Sequence, residues 1–432
     1  MTLLALCITF LVLLMLGMPI AFVIGMSCLV ALVVSGESLI LLPHFMFIGI
    51  DSFVLVAVPM FVLAGEIMLK GKMTSALTDF ADILVGRFRG GMGHTNIAAS
   101  VFFAGITGSA SADTTALGSV LIPTMAERGY SRAYATAVTI ASSVIGPIIP
   151  PSLTFVIYAM AVGGVSIGEL FVAGIIPGLL VALALMVMNY RISLARNYEK
   201  RTERYSWRFI GATFRASILV LVMPLLIVFG VLSGEFTATE AAAVASIYAL
   251  VICMAVTRTL DVRDLPGVLF STAKTSSIMF LLLATSSVLS YILATQGVPQ
   301  LIASAFEAVT DNKYVFLLLL NIILLLIGIV LDLFPAIIIF GPIFATIAQG
   351  YGVDPVHFGV IFCVNLLLGL NTPPVGSGLF IGAAVGKVRL EELIREVRPF
   401  ILMELLVVLI ITYVPFLTTT LPRSLTALLG SP

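Results

Sequence analysis

Two short stretches of this chain hold residue types that a membrane helix avoids. Gly146 to Ser152 reads GPIIPPS, and Gly369 to Gly378 reads GLNTPPVGSG. Each lies inside an apolar run long enough to cross a bilayer. A Pro-Pro pair removes backbone donors and drives its neighbours toward extended geometry, so carbonyls that a helix would consume are set free. Those carbonyls, with the side-chain oxygens of Ser152, Asn371, Thr372 and Ser377, form the oxygen-only ligand set that hard cations favour. Sodium fits better than a transition metal, because no His or Cys lies close in sequence. The half-helix that starts after each break aims its N-terminal amides inward, and those suit an anion. Either Pro-Pro pair alone reads as a structural kink. Two of them, each preceded by a polar-tipped apolar segment, read as halves of one site.

The polar tips carry the carboxylates. Asp113 sits in TGSASADTTALGS and Asp332 in LDLFP. Both stretches are too polar or too broken for a lipid-facing helix, so each reads as the turn of a re-entrant helical hairpin buried in protein. Each Asp fits a helix cap. Each also fits a direct ligand for a cation or for a substrate hydroxyl or amino group, since an ionisable residue inside a membrane is costly. No Lys or Arg falls well inside an expected span, so an anionic substrate would draw its counter-charge from hairpin amides, Ser and Thr hydroxyls and bound Na⁺. Glu66, Glu240 and Glu404 lie near or within spans and read as membrane-edge residues or helix–helix hydrogen bonds.

The elements that hold these residues follow from composition. The chain has 432 residues, of which 60% are hydrophobic and 10% charged, with formal net charge zero. A soluble protein of this size could not hide that much apolar surface. The runs are continuous rather than alternating, so the spans are helical. Zero net charge implies no nucleic-acid partner. The N-terminal MTLLALCITFLVLLMLG lacks a basic start and a small-residue cleavage site, and reads as a retained span. The four cysteines and three histidines are scattered, without pairing or metal-ligand spacing. There is no Walker loop, nucleophile elbow or nucleophile–base–acid set, so no enzyme is implied.

The chain also reads as two related halves. An offset of 223 residues pairs GPIIPP with GLNTPP, Ala161 with Ala384, Gly163 with Gly386 and Glu169 with Glu392. An offset of 219 upstream pairs Asp113 with Asp332 and Pro123 with Pro342. Matching loops differ in basicity. VSIGEL has no Lys or Arg, whereas its partner, KVRLEELIREVR, has four; the loop with Arg128 and Arg132 is basic and its partner, GYGVDPVHF, is not. By the positive-inside rule the matching loops face opposite sides, the pattern of inverted repeats in a secondary transporter. The expected fold is an all-α polytopic membrane protein. Residues 1–190 form the first repeat, with a hairpin over 94–126 and a broken span over 134–162. Residues 191–232 form a basic linker and linker span. Residues 233–432 form the second repeat, with a hairpin over 315–349 and a broken span over 357–386. Residues 3–34 are expected to cross once, broken near Met18-Pro19. The linker, with seven Lys or Arg, reads as cytoplasmic; it is either a solvated loop or an amphipathic helix on membrane lipid with Trp207 at the interface.

Across essentially the whole chain, GITGSASADTTALGSVLIPTMAERGY, GPIIPPSLTFVIYA, GVLSGEFTATEAAAVASIYAL and NTPPVGSGLFIGAA resemble the large membrane subunit of tripartite ATP-independent periplasmic (TRAP) transporters. The resemblance implies a bacterial inner-membrane protein that pairs with a small four-span membrane subunit and receives an organic acid from a periplasmic substrate-binding protein. It implies Na⁺ as coupling ion, no other cofactor, and an elevator in which a transport domain slides against a scaffold. The acids implied are C4-dicarboxylates, sialic acids and related carboxylates. Carried onto matching positions, it places one Na⁺ near Ser109 to Asp113 with Pro147, Pro150 and Ser152. A second lies near Asp332 with Asn371, Thr372, Pro373, Gly376 and Ser377. Substrate lies between them, near Ser111, Thr114, Ser152, Asp332, Pro335 and Thr372. A stand-alone Na⁺/divalent-anion symporter of the same repeat design is the alternative.

Overall fold

The computed structural model describes every residue except 199, 201–204 and 430–432. Among the described residues the regular structure is helical, apart from one isolated bridge between Arg89 and Lys200. Seven helices among the described residues are long and apolar enough to cross a bilayer; an eighth span forms if Leu390–Tyr413 and Phe416–Leu425, bent by 59°, count as one.

The first half opens with α1 (Thr2–Met15), α2 (Ile20–Ser35), α3 (Leu41–Ile50), α4 (Ala57–Lys70) and the amphipathic α5 (Met73–Val85). The first hairpin is α6 (Gly91–Thr107) and α7 (Ala110–Glu127). The first broken span is α8 (Arg132–Ser143) and α9 (Leu153–Val162), followed by α10 (Ile167–Ala195). The connecting span α11 (Trp207–Leu232) leads to α12 (Ala238–Leu250), α13 (Leu265–Thr295) and α14 (Val298–Val309). The second hairpin is α15 (Lys313–Val330) and α16 (Leu333–Gly350). The second broken span is α17 (Pro355–Leu370) and α18 (Ser377–Gly386), followed by α19 (Leu390–Tyr413) and α20 (Phe416–Leu429).

Two expectations are corrected here. Residues 3–34 are not one kinked span. Gly17 takes a left-handed φ of +75°, and α1 turns back to pack along α2, with Leu6, Ile24 and Cys28 in one apolar cluster beside Val288 and Ile292 of α13. The offset of 219 over the first hairpin also fails. The starts of α7 and α16, of α8 and α17, and of α10 and α19 are each 223 residues apart. The residue equivalent to Asp332 is therefore Ser109, and both stand immediately before their helix. The expected linker helix would include 199 and 201–204, which lie outside the described residues. On its far side Trp207 is the first residue of α11 and is 87% exposed.

The halves exchange partners. Helix α7 packs on α18, and in the matching position α16 packs on α9. Within each half the first hairpin arm lies on the broken span, α6 on α8 and α15 on α17. Polar contacts fix these buried arms. Asn96 donates to Thr139 at 2.7 Å and Ser100 to Ser142 at 2.8 Å; on the other side Asn365 donates to Asn321 at 2.6 Å and Asn321 to Thr412 at 3.0 Å. In a water-free interior such side-chain bonds fix register where apolar packing alone would allow sliding. Around this unit, α4 packs on α12, and α13 packs on α2, α3 and α4.

Candidate functional site

The tips of both hairpins and both breaks line one cavity of about 190 Å³. Ser109, Ser111 and Thr114 come from the first hairpin, and Asp332 and Phe334 from the second. Ser143 and Pro147 come from the first broken span, and Leu370, Asn371 and Ser377 from the second. The approach needs small residues. Gly108 ends α6 at φ +56°, and a Cβ there would lie 2.8 Å from the Pro151 carbonyl oxygen. Gly328 of α15 and Gly369 of α17 touch backbone to backbone, so that a Cβ on Gly369 would lie 2.5 Å from the Gly328 carbonyl carbon.

Three helix N-termini face the cavity. They are those of α7 through Ala110 and Ser111, α16 through Leu333 and Phe334, and α18 through Ser377 and Gly378. Each presents backbone N–H groups without an intrahelical acceptor and the positive end of a helix dipole. The lining holds no Lys, Arg or His, and its one acid is Asp332. Asp332 precedes α16 but makes no capping bond. Its exposed carboxylate accepts from the Ser377 hydroxyl at 3.2 Å.

Four carbonyls lose their helical donor, because the residue four positions on is proline: Gly146, Pro147, Gly369 and Leu370. Two find another. The Ser152 hydroxyl donates to Pro147, and the Thr372 N–H donates to Gly369 at 3.0 Å. The Gly146 and Leu370 carbonyls have no protein donor among the described residues. At the 223-residue offset Leu370 matches Pro147, and Val375 matches Ser152. The second break thus lacks the hydroxyl that satisfies the first.

The remaining sequence-predicted residues lie behind the lining. Asp113 is fully buried in the first turn of α7 rather than at its cap. One oxygen accepts from the Thr107 hydroxyl, and the other has no partner and lies against Gly146, where a Cβ would sit 2.1 Å away. Ser152 is buried and caps α9, accepting from the Phe155 N–H at 3.2 Å. Thr372 donates to the Leu368 carbonyl at 2.8 Å, and its own carbonyl accepts from the Gly376 N–H at 3.2 Å. Pro150, Pro335, Pro373 and Gly376 shape the breaks and helix starts without lining the cavity. Asn371 donates to the Ile140 carbonyl at 2.6 Å, tying the second break to the first repeat.

Ser143, Phe334, Leu370 and Gly378 were not among the sequence candidates. Leu370 was within reach, since it lies four residues before Pro374; nothing in sequence marks the others. Of the three glutamates read as edge residues, Glu240 does form a capping box with Thr237. Glu404 is 2% exposed, and neither carboxyl oxygen has a partner. Glu66 lines a second cavity.

Residues 7–417 match the family model for the tripartite ATP-independent periplasmic transporter, DctM component. The chain is 38% identical over 411 residues to the sialic acid TRAP transporter large permease protein SiaM of Vibrio cholerae, covering 94% of this chain and 95% of that protein. It is 32% identical over 423 residues to the C4-dicarboxylate TRAP transporter large permease protein DctM of Rhodobacter capsulatus, covering 95% and 96%. The fold is similar to the crystal structure of the Alcanivorax borkumensis YdaH transporter, with TM-score 0.61 and 16% identity over 86% of each chain. The chain belongs to the DctM component family of tripartite ATP-independent periplasmic transporters.

Proposed function

We propose that this large permease, a multi-pass inner-membrane protein, imports an organic acid together with Na⁺. The acid arrives on a periplasmic binding protein, and a small four-span membrane subunit completes the complex. The observation that carries the reading is the cavity where three helix N-termini meet Asp332 and the donorless Leu370 carbonyl. Helix N-termini suit a substrate carboxylate. Asp332, Leu370 and the Ser377 and Asn371 oxygens suit a hard cation beside it. The unpartnered Asp113 oxygen against Gly146 is a second oxygen-only candidate, behind the first break. An anion and a cation bound side by side lower each other's desolvation cost, which is the physical basis of coupling.

The two hairpins and two broken spans pack on one another through exchanged helices, which supports their moving as one body against a frame of α1–α4 and α11–α14. The charge pattern of the loops supports opposite orientation of the two repeats. The test is reconstitution into liposomes with both partners, under an imposed Na⁺ gradient. Uptake should follow the gradient and require both partners. Uptake by this chain alone would overturn the three-part reading in favour of a stand-alone symporter, and uptake indifferent to Na⁺ would overturn the coupling.

A further inference from the structure

The cavity at the hairpin tips adjoins a second one. Ser109, Ser111 and Phe334 also line a second cavity of about 450 Å³, which runs outward between the first hairpin and the frame helices α4 and α13. Glu66 of α4 and Thr275 of α13 line it from the frame, and Thr115 of α7 from the hairpin. Glu66 is half-buried and has no ion-pair or hydrogen-bond partner among the described residues. No Lys, Arg or His lines this second cavity.

The two adjoining cavities present unlike ends. One end presents helix N-termini and suits a carboxylate. The other presents an unpaired carboxylate among hydroxyls. We propose that Glu66 makes the far end of the substrate site selective: it accepts hydroxyl, amide or ammonium groups and rejects a second carboxylate. The inference rests on the proposed Na⁺-dependent carboxylate site at the hairpin tips and names the substrate class for it. That class is a monocarboxylate whose body carries hydrogen-bond donors. A half-buried carboxylate with neutral neighbours gains from each donor it receives. A second negative charge placed near it meets repulsion with no counter-charge in the wall.

The test uses the full chain in lipid nanodiscs and measures binding of N-acetylneuraminate and of succinate, in Na⁺ and in K⁺ buffer. In Na⁺ the wild type should bind N-acetylneuraminate on the order of tenfold more tightly than succinate, the fold-change expected of a like-charge repulsion screened by a partly hydrated wall. Glu66→Gln should tighten succinate by about tenfold, and Glu66→Asp, which keeps the charge, should retain the discrimination. If Glu66→Gln binds both acids in Na⁺ with the wild-type ratio, the selectivity inference fails while the carboxylate–Na⁺ site stands. If the wild type binds neither acid in a Na⁺-dependent way, the site and the inference fail together.

Discussion

Asp332→Asn separates a cation ligand from a helix cap. The side chain precedes α16, where a cap would stand, yet it makes no capping bond, and its one hydrogen bond comes from Ser377 at 3.2 Å. Asparagine keeps an oxygen for that bond and removes only the charge. A cation about 4 Å from the charge gains about 4 kcal/mol at an effective dielectric near 20 and about 1 kcal/mol in bulk water. Asp332 is exposed on a cavity wall, so the value falls between. A loss of about 2 kcal/mol raises the half-saturating Na⁺ concentration about 30-fold. The helix should lose only the dipole term, about 0.5 kcal/mol. The assay is Na⁺ titration of uptake in liposomes carrying the assembled transporter, with thermal melts alongside. A half-saturating Na⁺ that stays within about threefold of wild type would refute the cation role. A melting temperature that collapses would show that Asp332 holds the helix after all.

Three further substitutions probe the breaks. Ser152→Ala removes the cap on α9 and the donor to Pro147, and should cost about 1–2 kcal/mol of stability in thermal melts with little change in substrate half-saturation. A raised half-saturation without lost stability would instead make Ser152 a substrate contact. Replacing Pro373 and Pro374 together with Ala returns N–H donors to the Gly369 and Leu370 carbonyls, so Na⁺-dependent uptake should vanish while membrane insertion, read by protease mapping, persists. Val375→Ser places at the second break the hydroxyl that Ser152 supplies at the first. It should weaken Na⁺ affinity by about tenfold if the Leu370 carbonyl is a ligand, read from the same Na⁺ titration.

The hairpins, the breaks and the pairing of halves were legible in sequence because each rests on covalent chemistry: proline lacks a donor, and a polar turn cannot face lipid. What failed were inferences from residue identity. Matching Asp113 to Asp332 aligned like residues, but helix starts set the register, and the residue before a helix can be Ser in one half and Asp in the other. The break at Gly17 to Pro19 looked like a kink in one span. Helices of 14 and 16 residues are each about 21–24 Å long, short of a core of about 30 Å, and they bury apolar faces on each other and on α13 instead of running end to end. Ser152 is a different case: expected as a ligand, it caps α9 from behind the lining, and a hydroxyl beside a proline fits either role. Glu66 looked like an edge residue because its neighbours across the cavity lie in α7 and α13, far away in sequence.

The repeats would build a symmetric site, with the same groups on both sides, if their sequences were the same. The structure breaks that symmetry at matched pairs. Where the first hairpin has Ser109 before its helix, the second has Asp332. Where the first break satisfies the Pro147 carbonyl with Ser152, the second has Val375 and leaves the Leu370 carbonyl without a donor. Both changes add negative potential on the second half, one a full charge and one a bare carbonyl; the matched pair Gly146 and Gly369 runs the other way, since Gly369 accepts from the Thr372 N–H and Gly146 lacks a donor among the described residues. The first hairpin keeps hydroxyls and free N–H groups and adds no charge of its own to the lining, because Asp113 is withdrawn against Gly146. The lining thus carries its one acid on the second repeat, beside the N-termini of α16 and α18, and the N-terminus of α7 faces it from the first. Asn371, bonded to Ile140 across the halves, ties the second break to the first repeat. In the proposed function, an anion and a cation bound together in this lining lower each other's desolvation cost, which is what coupled transport requires.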